Sequence, residues 1–392
     1  MDETLQKFIL EHAKDDTSKL LLFASRYQDV DIRRAVVQIE ARRKIKDKAP
    51  DWYWDDRLIY PSALAAEQCS SALTAMYKQR FVQGDDILYD LTGGLGIDTF
   101  YFAQKAKQVL FIEQNKAYCE AALANFQTLG LTNVQVIHND AFSFLKEKNN
   151  ATIFYIDPSR RGRDNRRLFS ISDCEPDISK IYPLLPASKK LIIKLSPMLD
   201  ITQALTCIPS VQEVHILSIK NECKELLIVT APLAQCAPLI HCVNILVDNT
   251  EQTYTFHFPE EQTVVSPIAV RIGQYLFEPN ASLLKAGAFK TVAMLYGVEK
   301  LHTNSHLYTS DQLVASFPGR CFEIMDVLPF SNRLCKTIAL SIPHANISVR
   351  NFPLTVEELR KRTRISDGGD IYLFATTIPD NQKALIKCRK PS

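Results

Sequence analysis

The sequence has little that would sort it at once. Its ten cysteines lie at 69, 119, 174, 207, 223, 236, 242, 321, 335 and 388, and none forms a Cys-x-x-Cys pair. That excludes a zinc ribbon and a thioredoxin-type motif, and leaves ten reduced thiols in a cytoplasmic protein as the expectation. The eight histidines show no ligand spacing. His302 and His306 are four apart, but Thr303, Asn304 and Ser305 between them read as a turn, so no metal is expected. No apolar run approaches a membrane span, because runs such as Leu20–Ala24 and Ile153–Ile156 are only the size of a helical turn or a buried strand. The opening Met1-Asp2-Glu3 lacks the basic start and apolar stretch of a signal peptide, which again points to the cytoplasm and to no membrane partner. Neither sign of charge dominates: 46 basic residues face 44 acidic ones, a net charge of +2. Such a balance neither demands nor excludes a nucleic-acid partner, because local patches decide that. There is no internal repeat and no low-complexity segment.

What is present is pattern. With 392 residues, two or three domains are expected. Residues 1–58 read as an N-terminal helical domain. Leu5, Phe8, Ile9 and His12 recur at helical spacing, as do Leu20, Leu21, Phe23 and Ala24, and then Ile32, Ala35, Val36 and Ile39. The basic stretch Arg42–Lys48 closes it and Pro50 breaks it. Trp52, Tyr53 and Trp54 follow. Cementing the helices onto the next domain is the expectation for them, ahead of a stacking surface for a base.

From 59 to 232 short apolar runs alternate with helical stretches. The runs are Ile87–Tyr89, Val109–Ile112, Val134–Ile137, Ile153–Ile156, Leu191–Leu195, Val214–Ile219 and Leu226–Val229. Strands buried on both faces with helices between them imply an α/β fold with a doubly wound, mostly parallel sheet of seven strands. The last two runs are joined too closely for a crossover helix, so they must be antiparallel. Residues 231–242 read as a linker, and 243–392 as a C-terminal α+β region.

The first strand runs into Asp90-Leu-Thr-Gly-Gly-Leu-Gly-Ile-Asp98. Glycines 93, 94 and 96 let the backbone turn tightly and approach a ligand, and the next helix points its amino end at it. The dinucleotide fingerprint fails at Thr99, where its third glycine belongs, and no Gly-Lys-Ser/Thr follows for a P-loop. The second strand ends in Glu113-Gln114, the third leads to Asp140-Ala141, and the fourth to Asp157-Pro158-Ser159. Three successive strands thus deliver acidic residues to the rim where such sheets bind ligands, although a lone acid after a strand is more often a helix cap.

In this order and spacing, residues 60–232 resemble the class I S-adenosylmethionine-dependent methyltransferases, Rossmann-like enzymes whose seventh strand is antiparallel. The resemblance implies S-adenosyl-L-methionine as cofactor. It would be held by the loop (Asp90, Thr92, Gly93, Gly94, Gly96 and Asp98), by Glu113 and Gln114 at the ribose, and by Asp140 and Ala141 near the adenine. It places Asp157, Pro158 and Ser159 at the methyl acceptor. That corner resembles the Asp/Asn-Pro-Pro-aromatic motif of amino-group methyltransferases, with Ser159 and Arg160 in place of proline and aromatic. It also resembles the Asp-Pro-Pro-Arg of RNA uracil methyltransferases, but their cysteine after strand five is absent from Lys194-Leu-Ser-Pro-Met198, and serine is too weak a nucleophile to replace it. Asp157, Lys194 and Glu225 fall where three members of the ribose 2′-hydroxyl methyltransferase tetrad stand. A structural ion pair is the plainer account of them.

Five arginines lie in the eight positions 160–167. Arg160, Arg161 and Arg163 leave the acceptor rim directly and would contact phosphate. The C-terminal phrases Tyr275–Phe289, Ile347–Arg360 and Gly368–Phe374 resemble the THUMP-like domain, about 320–392, appended to some bacterial methyltransferases. That implies an RNA substrate, tRNA or rRNA. A small-molecule or protein methyltransferase, or a non-catalytic RNA-binding protein retaining the fold, are the rival expectations.

Overall fold

A computed structural model of the chain describes residues 1–148, 150–160, 174–186, 189–231 and 237–391. The chain divides into two units. One comprises Met1–Gln212 and Leu227–Gln235, the other Glu213–Leu226 and Cys236–Ser392.

The first unit opens with helices Glu3–Glu11, Thr17–Leu22 and Ile32–Ile45. Each is started by an aspartate (Asp2, Asp16 or Asp31) whose carboxylate accepts a first-turn backbone N–H. Leu5, Phe8, Ile9, Leu20, Ile32, Ala35, Val36 and Ile39 bury together, as their spacing implies, whereas Leu21 and Phe23 face solvent. Helices continue past the expected boundary at 58, through Ala63–Gln68 and Ala72–Lys78, so that boundary falls inside the unit. Ala41, Ile45, Ala49, Trp52, Leu58 and Tyr60 share one apolar cluster with Leu95, Ile97 and Tyr101. The helical segment therefore packs on the glycine loop and the helix after it. Trp52 is buried with its ring edge-on to Phe100, centroids 5.9 Å apart, while Trp54 is exposed. Tyr53 is half-buried against the same cluster, so the first two of the three aromatics cement and the third does not.

Five parallel-paired strands follow: β1 (Ile87–Asp90), β2 (Gln108–Glu113), β3 (Val134–His138), β4 (Ile153–Ile156) and β5 (Lys190–Leu195). With the end of β7 (Glu222–Thr230), their hydrogen-bonded order is β3-β2-β1-β4-β5-β7. The chain builds outward from β1 to β3 and then returns to lay β4 on the other side. This leaves a crevice beyond the carboxyl ends of β1 and β4, the place where doubly wound sheets take ligands. β1, β4 and β5 are buried almost throughout, which is why they read as continuous apolar runs.

In the second unit β6 (Val211–Ile219) turns into β7 through Lys220 and Asn221, both at positive φ, a two-residue hairpin. The expected linker does not last to 242. Strand β8 (Leu239–Ile245) pairs parallel with β6, and β9 (Glu251–His257) pairs antiparallel with β8. The sheet thus runs beyond the expected seven strands. The physical reason is that β6 is apolar on both faces, with Val214, Ile216 and Leu217 fully buried. As an edge it would expose them together with its unpaired backbone. A separate seven-stranded sheet carries the rest of the unit. Its last strands, Gly319–Pro329, Asn346–Arg350, Tyr372–Thr377 and Lys383–Arg389, alternate with helices Asn332–Ser341 and Val356–Thr363 over a core of Ile338, Leu359, Leu373 and Leu385. Among the described residues no helix is long and apolar enough to cross a membrane.

Emptying the Trp52 site should cost about 3–5 kcal/mol, whereas an exposed position away from such features costs about 0.5 kcal/mol or less. Urea melts of Trp52→Ala and Trp54→Ala should therefore separate widely; equal midpoints would remove Trp52 from the core.

Candidate active site

The loop after β1 is shaped by close approach. Leu91 N donates to Tyr155 O and Gly93 N to Ile112 O, both at 2.9 Å, which locks the loop between β4 and β2. A Cβ on Gly93 would sit 2.3 Å from the Phe111 ring, and Gly96, with φ of 88°, caps helix Ile97–Ala103. Both positions need glycine, one for space and one for its backbone angle. The buried Asp90 carboxylate ties the two ends together, accepting from Thr92 N at 3.1 Å and from Thr99 Oγ1 at 2.6 Å.

Glu113 closes the next side. Its Oε2 accepts from Gly94 N at 2.9 Å and its Oε1 from Asn115 N at 2.8 Å. The acid predicted at the end of β2 thus reaches the loop itself. Gln114 contributes its backbone carbonyl, 3.0 Å from His138 Nε2. Asp140 caps helix Ala141–Glu147 through Ser143 N at 2.9 Å, and that bond holds its carboxyl below the usual range. Ala141, the first residue of the helix, is buried.

At the end of β4, Asp157 N donates to Thr92 Oγ1 at 2.6 Å. Its Oδ2 lies 2.5 Å from Lys194 Nζ on β5, with the lysine side chain 12% exposed and the aspartate 34%. Ser159 begins a short strand paired with Glu175 and donates to its carbonyl at 3.3 Å. Arg161 and Arg163 lie outside the described residues, as does the side chain of Arg160. Glu225 belongs to the second unit.

Asp98, like Asp90, is buried, whereas Glu113, Asp140 and Asp157 are not. It accepts from Ser70 Oγ at 2.6 Å and Tyr155 OH at 2.7 Å, and pairs with Lys78 Nζ at 3.0 Å. Burial pushes its carboxyl up, but Lys78, Lys194 and the two hydroxyls outweigh burial and hold it below the usual range. These partners hold Asp98 at the start of the helix that follows the loop. Ser70, Lys78 and Tyr155 were missed: a lysine closing an apolar helix and a tyrosine in a strand carry no periodic signal. Cys69, next to Ser70, has Lys194 and Asp98 among the charges acting on it, and burial pushes its thiol up to about 11. It stays protonated near neutral pH and is a poor nucleophile.

A family profile for a ferredoxin-like domain matches residues 275–318, and one for a THUMP domain-like family matches residues 319–390. A crystal structure from Porphyromonas gingivalis W83, described provisionally as a methyltransferase, is 35% identical in sequence. It covers 100% of both chains with a TM-score of 0.88. Among curated proteins, an uncharacterized RNA methyltransferase of Thermotoga maritima is 23% identical over 128 residues, 32% of this chain and 29% of its own length. Another, of Mycoplasma mobile, is 35% identical over 85 residues, 21% of this chain and 23% of its own. The chain spans at most 40% of the length of the curated relatives it matches.

Burial pushes the Asp90 carboxyl up to about 7 from 3.8; the charges of Asp98 and Asp157 add to this, and the bonds from Thr99 and Thr92 oppose it. The folded protein thus binds this proton more readily than the unfolded chain. The stabilisation is complete below about pH 4 and is lost as the pH rises through 7, at a slope of up to about 1.4 kcal/mol per pH unit. Asp98, whose carboxyl is held low, acts only at lower pH. Asp90→Asn keeps the hydrogen-bonding shape without the titration, so its stability should fall less steeply between about pH 4 and 7. Denaturant melts across that range check this, and parallel curves for the two proteins would contradict it.

Proposed function

The chain belongs to the class I methyltransferase family with a C-terminal THUMP-like domain, and from that premise we propose that it transfers a methyl group from S-adenosyl-L-methionine to RNA, tRNA or rRNA being the class of substrate. The observation that carries this reading is the convergence of the Thr92–Gly96 loop, Glu113 and the Asp157–Lys194 pair beyond β1, β2, β4 and β5, where the strand order reverses.

The residues present fit this cofactor. Backbone amides at the start of helix Ile97–Ala103 suit a carboxylate. Glu113, at the end of β2, suits a pair of ribose hydroxyls. Asp140 and Ala141, at the start of the helix after β3, are proposed for the adenine. The bound cofactor supplies an electrophilic methyl group, so the protein's task is alignment and exclusion of water. Lys194 anchors Oδ2 of Asp157 while Thr92 anchors its backbone. A carboxylate held in this way accepts a hydrogen bond from the N–H or O–H of the acceptor and aims its lone pair at the methyl group. Pro158 and Ser159 shape the same corner. The matched THUMP domain-like segment and the names of the two curated relatives support RNA as the partner. Arg160, Arg161 and Arg163 are proposed as its phosphate contacts, which makes binding salt-dependent.

Calorimetric titration should show binding of S-adenosyl-L-methionine and none of NAD, with Glu113→Ala weakening it by about tenfold or more, that is about 1.4 kcal/mol or more. Binding of NAD instead would overturn the cofactor assignment. Asp157→Ala should abolish methyl transfer to RNA, followed with a radiolabelled methyl group, and leave cofactor affinity nearly unchanged. Equal loss of both would show that Asp157 serves the cofactor. Turnover on a protein or small molecule, with no salt-dependent RNA binding, would overturn the substrate class.

A further inference from the structure

Glu213, His215 and His241 lie in the second unit, outside every role given above. Glu213 and His215 are two apart on β6 and so share a face. On the parallel strand β8, His241 stands opposite His215, and Leu239 opposite Glu213. The two imidazoles stack with centroids 4.3 Å apart and planes 12° from parallel. Glu213 Oε2 is 2.8 Å from His215 Nε2 and 3.9 Å from His241 Nε2. One donor atom from each residue falls within 4.8 Å of the other two, which no other set of three such side chains does among the described residues. On the far side, Thr255 of β9 stands opposite His241, and its Oγ1 is 3.0 Å from His241 Nδ1.

We propose that these three side chains form a binding site for a divalent transition-metal ion, with Zn²⁺ the best fit. Two imidazole nitrogens and one carboxylate oxygen, without thiolate, make a borderline donor set that suits Zn²⁺. Metal–ligand bonds of about 2.0–2.2 Å place pairs of donor atoms about 3–4 Å apart. Small side-chain rotations bring the three to that spacing. With Nδ1–H of His241 donating to Thr255 Oγ1, Nε2 is the ligating nitrogen, and such an outer contact fixes the tautomer of a ligating histidine. His215 is buried, and Glu213 and His241 are part-exposed, so an ion can enter from the open face of the sheet. Three protein ligands leave a fourth position for water. The ion ties β6 to β8 near the ends where both begin.

The test uses the full chain, stripped with a chelator and titrated with Zn²⁺ near pH 7.5, with Co²⁺ as a spectroscopic probe. The expected result is one ion per chain, a higher melting temperature with Zn²⁺, and visible Co²⁺ absorption from a low-symmetry site. Glu213→Gln and His241→Gln should each weaken Zn²⁺ binding about tenfold or more. His241→Cys, which restores a ligand, should recover binding, and this separates loss of a ligand from loss of fold. Equal Zn²⁺ affinity in the parent and both Gln variants overturns the proposal. So does failure of the folded parent to take up Zn²⁺, which would leave only a carboxylate shared by two imidazoles. Cofactor binding by the first unit, measured on the same samples, succeeds or fails independently.

Discussion

A lysine ammonium with no access to water has to be neutralised where it stands, and Lys78 is met by Asp98. The pair joins the last of the N-terminal helices to the helix that follows the glycine loop, and Ser70 and Tyr155 add hydrogen bonds to it. Removing one partner from such a pair strands a buried charge, at about 3–5 kcal/mol. Its geometry is therefore held firmly, and the geometry is what the site uses. Asp98 sits two residues past Gly96, and Tyr155 reaches the pair from β4, one strand from the loop. The position of the loop, the end of β4 and the helical segment are all fixed by one internal neutralisation. Apolar packing around Leu95, Ile97 and Trp52 supplies most of the binding between these parts. The ion pair supplies direction, because a hydrophobic contact alone allows sliding.

The loop then passes this order on. Thr92 bonds the backbone of Asp157, Gly94 bonds the carboxylate of Glu113, and Asp90 clasps both ends of the turn. Glu113 and Asp157 thus rest on the loop, and Asp140 on the first turn of its own helix. The methyl transfer proposed above works mainly by alignment and would need a rim of this kind.

The sheet was legible in the sequence because burial on both faces writes strands as short apolar runs, and the end of each run marks the rim. Glu113, Asp140 and Asp157 were read as candidate site residues in that way. Three things were not legible. Asp98 looked like its neighbours because one letter cannot say which side of a helix meets a distant lysine. The strand beginning at Leu239 was read as the end of a linker, since Pro232 and Pro238 signal irregular backbone while the need to cover β6 is set by tertiary structure. Glu213, His215 and His241 show no ligand spacing along the chain, because their proximity comes from the register of two parallel strands.

The division of β7 between the units has its own consequence for how such a protein can be assembled or dismantled. Residues 213–226 belong to the second unit but interrupt the first in the chain, so the polypeptide crosses between units three times. A single cut after the methyltransferase segment would leave β8 without β6, and the fragment would begin with an uncovered edge. Gene fusion or shuffling by simple end-to-end joining cannot exchange these units.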